Sequence, residues 1–325
     1  MSASASPGGF AAYVDLLCCP RCKGQLAPLS DGAVRCGDEG CGKTFPIVGG
    51  RPVLIDDDRS VFAVADYQSP PTKVGPPRAI ARLRDWARRV PSPSVNLSAV
   101  RCFQQMKVLL LERSPNPVVL LVGGGLMGKG MRALTEVPAL RLINLDPSPT
   151  SDAAIFCDGH DLPFKNGSVD AVITQAVLEH VADPVRCVEE IHRVLKPDGL
   201  VYSEIPFMQQ VHQAGYDFTR FSHLGQRRLF KRFAEIESGA VAGPGTALAW
   251  AWRYFLASFA PTRAVAKALF WIGRVTGMLI EQADYLVRRR PGALDAASCI
   301  YFFGRRSDRA ASDRELVAAY RGLQR

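Results

Sequence analysis

The sequence predicts a doubly wound α/β domain with a small cysteine-bearing module in front of it. Three observations carry that expectation. From Asn116 onward, apolar runs of strand length alternate with stretches of helical spacing. Two of those runs end on an acid, Asp146 and Asp158. And four cysteines stand as two pairs ahead of all of it, Cys19 with Cys22 and Cys36 with Cys41.

The chain has 325 residues, 47% hydrophobic and 22% charged, which suits one large domain plus a small one with a substantial core. A net charge of +9 permits nucleic acid, anionic lipid or acidic substrates as partners and proves none of them. The excess sits in Pro76–Val90 and after Arg220, and a solvated basic surface is the preferred reading. The first 17 residues lack the basic-then-apolar pattern of a secretion signal, and no run reaches the roughly 18 apolar residues of a membrane span. With nine cysteines, an odd number, a reducing cytoplasm and metal ligation are expected over disulfides.

In "CCPRCKGQL" and "VRCGDEGCGKTFPIVGGRPVLID", each cysteine pair lies in a glycine-rich turn (Gly24; Gly37, Gly40, Gly42). Two such turns facing each other give four sulfurs in tetrahedral array, which suits structural Zn2+ on Cys19, Cys22, Cys36 and Cys41. A module of residues 1–56 is too short to fold on apolar burial alone, so a metal would supply stability. Free thiols and a redox pair are the competing readings; no thioredoxin-like unit surrounds the cysteines. Cys18 is a neighbour that could replace Cys19, and Cys102, Cys157, Cys187 and Cys299 read as core. "CPRCKGQL…CGKTFPIVGGRPVLI" resembles the zinc ribbons of small activator proteins that partner tRNA and protein methyltransferases, over about residues 13–56. The second pair is wider than that family's usual CxxC.

Residues 57–97 read as a Pro/Ser-rich linker with a basic helix near Ile80–Val90. "SAVRCFQQMKVLLLER" predicts a helix capped by Ser98. "NPVVLLVGG" is a buried parallel strand and "MGKGMRALTEV" a helix. Strands two to five are expected at "LRLINLD", "AAIFCD", "SVDAVITQ" and "LVYSEIP", with "DPVRCVEEIHRVLKPDG" a helix running from its Asp to its Pro-Asp-Gly stop. "HLGQRRLFKRF" is a further helix. "AEIESGAV" and "AASCIYFFGRR" complete a seven-stranded, Rossmann-like sheet within residues 98–310. Roughly 45 residues of helical spacing, 245–290, separate those last two strands, and 311–325 form a tail helix.

Asp146 lies about 20 residues beyond the glycine turn, where a carboxylate can accept ribose hydroxyls. "CDGHDLPFKNGSVDAVITQAVLEHVADP" closely resembles the class I S-adenosylmethionine-dependent methyltransferases (methyltransferase type 11-like): an acid, "LPF", a turn, "VD", a strand, then "LEH". The likeness runs from about Ser98 to Phe233. It implies that Gly123, Gly125 and Gly128 approach the methionine part of S-adenosyl-L-methionine. It places Asp146 on the ribose, Asp158 and Gly159 at the adenine, and Gln175 on the cofactor wall. Leu121 stands where many such sites carry an acid, so weakened cofactor binding is expected.

The loop "IPFMQQVHQAGYDFTRFS" resembles a signature of a bacterial methyltransferase subgroup found among glycan and natural-product pathways. It supplies His212 as first candidate base, with His180 second, and Tyr216, Asp217 and Arg220 as further acceptor-side candidates. Asp217 and Arg220 would pair to shape the loop, or Arg220 would clamp an anionic acceptor. The expected activity is methyl transfer to an O or N acceptor on a small molecule, glycan or lipid-linked precursor. An RNA methyltransferase and a non-catalytic scaffold with the ribbon as a docking module are the alternatives. The insertion, with Trp250, Trp252, Phe255, Phe259, Phe270 and Trp271 among basic residues, would be a lid, a homodimer interface or a membrane-surface helix pair.

Overall fold

Val118–Val122 is apolar and buried at every position, so it can lie only inside a sheet covered on both faces. The computed structural model, which describes residues 10–30, 32–68, 96–124, 128, 130–287 and 290–323, places it there. In chain order the strands are β1 Leu26–Pro28, β2 Ala33–Cys36, β3 Thr44–Val48, β4 Arg51–Leu54, β5 Val118–Val122 and β6 Arg141–Leu145. They continue as β7 Phe156–Cys157, β8 Val169–Gln175, β9 Leu195–Pro206, β10 Phe233–Ala242 and β11 Cys299–Arg306. The main sheet has the order β10-β11-β9-β8-β5-β6, parallel from β6 to β9 and antiparallel at β11 and β10.

The main sheet therefore has six strands among the described residues, and the seventh expected at "AAIFCD" is a two-residue strand. Ile155 touches β6 through an isolated bridge to Leu145, while Phe156 and Cys157 pair in parallel with Val53 and Leu54 of β4. The sheet edge has thus been taken over by the cysteine-bearing module. That module is a meander, β1 to β4, whose last hairpin turns on Gly49 and Gly50, both at positive φ, as a two-residue turn between twisted strands requires.

The helices are α1 Ala65–Gln68, α2 Ala99–Leu111, α3 Arg132–Thr135, α4 Pro184–Val194 and α5 His223–Leu229. Then come α6 Pro244–Ser258, α7 Arg263–Gln282, α8 Asp284–Val287, α9 Pro291–Asp295 and α10 Asp313–Ala318. The helix expected at "MGKGMRALTEV" shrinks to the four residues of α3, because Gly128 and Gly130, the latter at φ +85°, belong to the turn that feeds it. Ser98 is the first residue before α2, yet it does not cap it. Asn96 Oδ1 accepts from the amides of Ser98 and Ala99, and the Ser98 hydroxyl meets Tyr202 instead. Asp183 does cap α4, accepting from the Arg186 amide, but "LKPDG" opens β9 and is not a helix stop. The basic helix expected near Ile80–Val90 lies outside the described residues.

Two apolar layers flank the sheet. One gathers Leu120, Val122, Ile143, Leu162, Phe164, Val172 and Ile191, and extends without a break to Leu17, Val34 and Phe45 of the cysteine module. The other holds Phe103, Met106, Leu121, Ile173, Tyr202 and Phe303. Each fully buried side chain of this size contributes about 1.5–3 kcal/mol. The shared layer is why the module does not stand off as a separate bead. Further ties join the two: Cys18 donates to the Pro163 carbonyl, and Lys23 pairs with Glu190 at 3.0 Å.

The insertion is an antiparallel pair, α6 against α7. Gly273 and Gly277 let α7 approach Arg253 and Ala249 closely. Buried Asp284 receives the amides of Gly243, Gly245 and Thr246 and the Thr246 hydroxyl, closing the α6 N-terminus. Arg253 pairs with buried Glu281 and stacks on Trp250. Among the described residues no helix is long and apolar enough to cross a membrane.

Candidate active site

The parallel strands β5, β6 and β8 all end at one edge, where a doubly wound sheet places its ligand. A cavity of about 600 Å³ opens there, lined by Gly123, Asp146, Asp158, Gly159, His160, Ala176, His180 and Tyr216 among others. Its floor is the glycine turn. Gly123 sits at φ +67°, and a Cβ there would stand 2.5 Å from Val177 Cγ2. A Cβ on Gly124 would overlap Asn144 Oδ1, and one on Gly128 would overlap the Gln175 amide. Gly124, which sequence reasoning passed over, is thus as constrained as its neighbours. Gly125 lies outside the described residues.

Asp146 follows β6, and one of its oxygens accepts from the Ser148 amide at 2.7 Å. Asp158 follows β7 and is nearly buried. It accepts from the amide of His160 at 3.0 Å, from its Nδ1 at 2.6 Å, and from the Ser60 hydroxyl at 2.5 Å. His160 Nε2 accepts from the Asp183 amide at 3.0 Å, so Nδ1 carries the proton it donates. Burial alone would raise the Asp158 carboxyl. The hydrogen bonds from His160 and Ser60 outweigh it and hold the group below its ordinary value. Asp158 therefore stays ionised and keeps lone-pair capacity for a further donor. Ala176, directly after β8, holds φ +54°, a strained conformation for a residue with a Cβ, at the cavity wall.

Gln175 and Gly128 turn to a crevice behind the glycine turn, with Met131 and Ile173, and do not line the main cavity. Leu121 is buried among Cys102, Met106 and Leu134, on the apolar side of β5.

The segment after the cysteine module closes one side of the cavity. Ser60 binds Asp158, Phe62 stacks on Tyr216 at 5.9 Å, and the Tyr67 hydroxyl donates to the Pro147 carbonyl. Nothing in the composition of residues 57–68 signalled this; only the pairing of β4 with β7 brings them there.

On the acceptor side, Asp217 and Arg220 form a two-pronged ion pair whose guanidinium also donates to the carbonyls of Gln209, Gln210 and Thr219. Arg220 holds the Asp217 carboxyl well below its ordinary value. The pair braces the loop, and Asp217 also takes the His212 amide at 2.8 Å. His180 and His212 meet edge to face at 4.9 Å. Between them lies Glu179, fully buried, with neither carboxylate oxygen hydrogen-bonded among the described residues, and burial pushes its carboxyl up to about 8. Sequence reasoning named both histidines and missed this acid, although "LEH" puts it beside His180.

The cysteine cluster is equally compact. Cys19, Cys22, Cys36 and Cys41 bring their sulfurs within 4.8 Å of one another, with Cys19–Cys41 at 3.8 Å and Cys22–Cys36 at 3.4 Å. Sulfurs bound to zinc at about 2.3 Å in a tetrahedron stand about 3.8 Å apart, so the set fits that ion. Cys18 lies outside the cluster.

A family model described as a methyltransferase domain (Methyltransf_11) matches residues 120–203, which include the glycine turn, both acids and Glu179–His180. An uncharacterized 37.1 kDa protein in transposon TN4556 of Streptomyces fradiae is 31% identical, over 31% of this chain and 33% of that one. An uncharacterized methyltransferase of Mycolicibacterium gilvum is 36% identical, over 26% of this chain and 37% of its own. The chain thus spans about a third of the length of these relatives. Among solved structures, a chain from the complex of the Haloferax volcanii Trm112 methyltransferase activator with a candidate methyltransferase is 23% identical. The overlap covers 70% of this chain and 95% of that one at a TM-score of 0.39, too low to define a common fold. The matched domain supports a methyltransferase and leaves the acceptor unspecified.

Proposed function

We propose that the chain transfers a methyl group from S-adenosyl-L-methionine to an oxygen or nitrogen of a small molecule, glycan or lipid-linked precursor. One observation carries this. Two acids, Asp146 and Asp158, face a single cavity across a glycine turn that excludes side chains. In this reading the backbone of the turn at Gly123 approaches the methionine end, Asp146 takes the ribose hydroxyls, and ionised Asp158 accepts from the adenine amine beside Gly159. The bound cofactor supplies an electrophilic methyl on a sulfonium. The protein's part is to orient it, exclude water and hold the acceptor in line.

Water exclusion falls to Phe62 and Tyr216 on one side. On the other, the Tyr254 hydroxyl of α6 reaches the Val211 carbonyl at 2.5 Å, and Trp250 stands 6.1 Å from His212. The helix pair is therefore read as a wall over the acceptor loop. Zinc on the four cysteines would hold the ribbon, and with it β4 against β7 and Ser60 against Asp158.

Calorimetry with S-adenosylhomocysteine tests the reading. Micromolar binding that is lost in Asp146→Ala supports it. Binding no tighter than millimolar favours the non-catalytic scaffold.

A further inference from the structure

Glu179, His180 and His212 form a second converging group, and its protons can be placed. His180 Nδ1 lies 2.9 Å from the Tyr216 carbonyl, and His212 Nδ1 lies 3.3 Å from the Gln210 carbonyl. A carbonyl only accepts, so both Nδ1 atoms donate, and each neutral ring presents a bare lone pair at Nε2. Those two Nε2 atoms point at one oxygen of Glu179, at 3.6 Å and 3.8 Å. Three electron-rich atoms thus face one another where buried Glu179 meets half-buried His180 and exposed His212.

Hydrogen bonding does not resolve the conflict. The separations exceed the roughly 2.7–3.2 Å of a real bond, and a single proton on Glu179 could serve only one ring. Among the described residues Glu179 has no hydrogen-bond partner for either oxygen, and the cation that acts on it, Arg220, is bound to Asp217, which also takes the His212 amide. Arg220 acts on the group only from a distance, and its hydrogen bonds go to Asp217 and to loop carbonyls, so the centre of the arrangement has no cation of its own among the described residues. Ligands held at about 2.0–2.2 Å from one ion stand about 3–3.5 Å apart, close to what is seen. All three ligand atoms lie within 4.8 Å of one another. Fixing the far nitrogen of each imidazole on a backbone carbonyl is also how metal-binding histidines are oriented.

We propose that Glu179, His180 and His212 hold a first-row divalent cation at the acceptor end of the cavity, and that the acceptor is an oxygen bound to that ion. Two histidines and one carboxylate leave coordination positions open for substrate. His180 lines the cavity beside Ala176, Gln213 and Tyr216, so those positions lie next to the space assigned to the cofactor. A hydroxyl bound there loses its proton to water more readily. Its oxygen then forms the new O–C bond while the S–C bond of the sulfonium breaks and the sulfur leaves as a neutral thioether. The ion site rests on geometry alone; its role in methyl transfer rests on the function proposed above.

The test uses the full chain with its cysteine cluster untouched. Mn2+ is the first probe, because it prefers oxygen and nitrogen ligands over thiolates; Zn2+ is the second. Free Mn2+ is followed by electron paramagnetic resonance, and S-adenosylhomocysteine binding by calorimetry. One ion beyond the cysteine cluster is expected per chain. Glu179→Gln and His212→Gln should each weaken it by about 10-fold or more, with S-adenosylhomocysteine affinity kept. Without added metal, Glu179→Gln should melt no lower than the parent, since it removes a buried acid that has no hydrogen-bond partner among the described residues, and it should lose the melting shift that the ion gives the parent. Failure of both ions to bind, or binding equally tight in Glu179→Gln, overturns the proposal. Ion binding with no S-adenosylhomocysteine binding upholds the site and counts against methyl transfer.

Discussion

Gly123→Ala isolates the steric demand of the glycine turn. Two costs can be read from the structure. The residue holds φ +67°, and a side chain in that left-handed region costs about 1–2 kcal/mol. The new methyl would also stand 2.5 Å from Val177 Cγ2 and 3.0 Å from Cγ1, and such overpacking costs about 1–3 kcal/mol. The sum is about 2–5 kcal/mol. With about 2.1 cal/mol/K per residue, 325 residues give a melting entropy near 0.7 kcal/mol/K, so the midpoint should fall by about 3–7 °C. Val177→Ala removes the colliding methyls. In the double variant the clash should vanish and the backbone cost remain, giving a coupling of about 1–3 kcal/mol in a double-mutant cycle. Melting midpoints and S-adenosylhomocysteine calorimetry on the four proteins supply the data. A midpoint for Gly123→Ala within about 1 °C of the parent, or costs that simply add, would refute this account of the turn.

Other expectations follow from single contacts. Asp284→Ala leaves three α6 amides without their acceptor and should cost about 3 kcal/mol or more; hydrogen exchange should speed up in α6 and α7 ahead of the sheet, and uniform exchange would contradict this. Cys22→Ser, or strong chelation, should loosen β4 from β7 and weaken S-adenosylhomocysteine binding as well as stability; unchanged cofactor affinity would uncouple the ribbon from the site. Buried His223, which donates to Ser238 at 2.8 Å, has its pKa lowered to about 4, chiefly by burial. Its neutral form therefore contributes stability above about pH 6.5, and that contribution, up to about 3 kcal/mol, is lost as the pH falls toward 4. His223→Gln should flatten the decline of the melting midpoint between pH 7 and 5, and an unaltered slope would reject that. Leu121→Asp should destabilise the chain without tightening S-adenosylhomocysteine binding, because the new carboxylate enters an apolar layer; tighter binding would show that the turn itself needs the acid.

Alternation of apolar runs and helical spacing was enough to place β5, β6, β8 and the long helices, because each buries a face whose period is written locally. The two cysteine pairs were legible as glycine-rich turns, while the meander decides that Cys19 meets Cys41 and Cys22 meets Cys36. Asp146 and Asp158 were legible as strand ends. Other features had no local signature. "AAIFCD" carries enough apolar residues for a full strand, yet β4 captured Phe156 and Cys157, which is a competition between distant edges. Glu179 looked like one more acid until burial removed its partners and brought His212, 33 positions later in the chain, within reach. The sequence by itself determined most strand and helix segments and the two cysteine pairs, with Cys18 remaining an alternative to Cys19, since those depend on neighbours within a turn or two. Only the tertiary structure decided that the segment after the cysteine module completes the wall of the cavity and that two histidine side chains and a carboxylate converge. Both are consequences of long-range packing, where the burial of one group is set by residues far away along the chain.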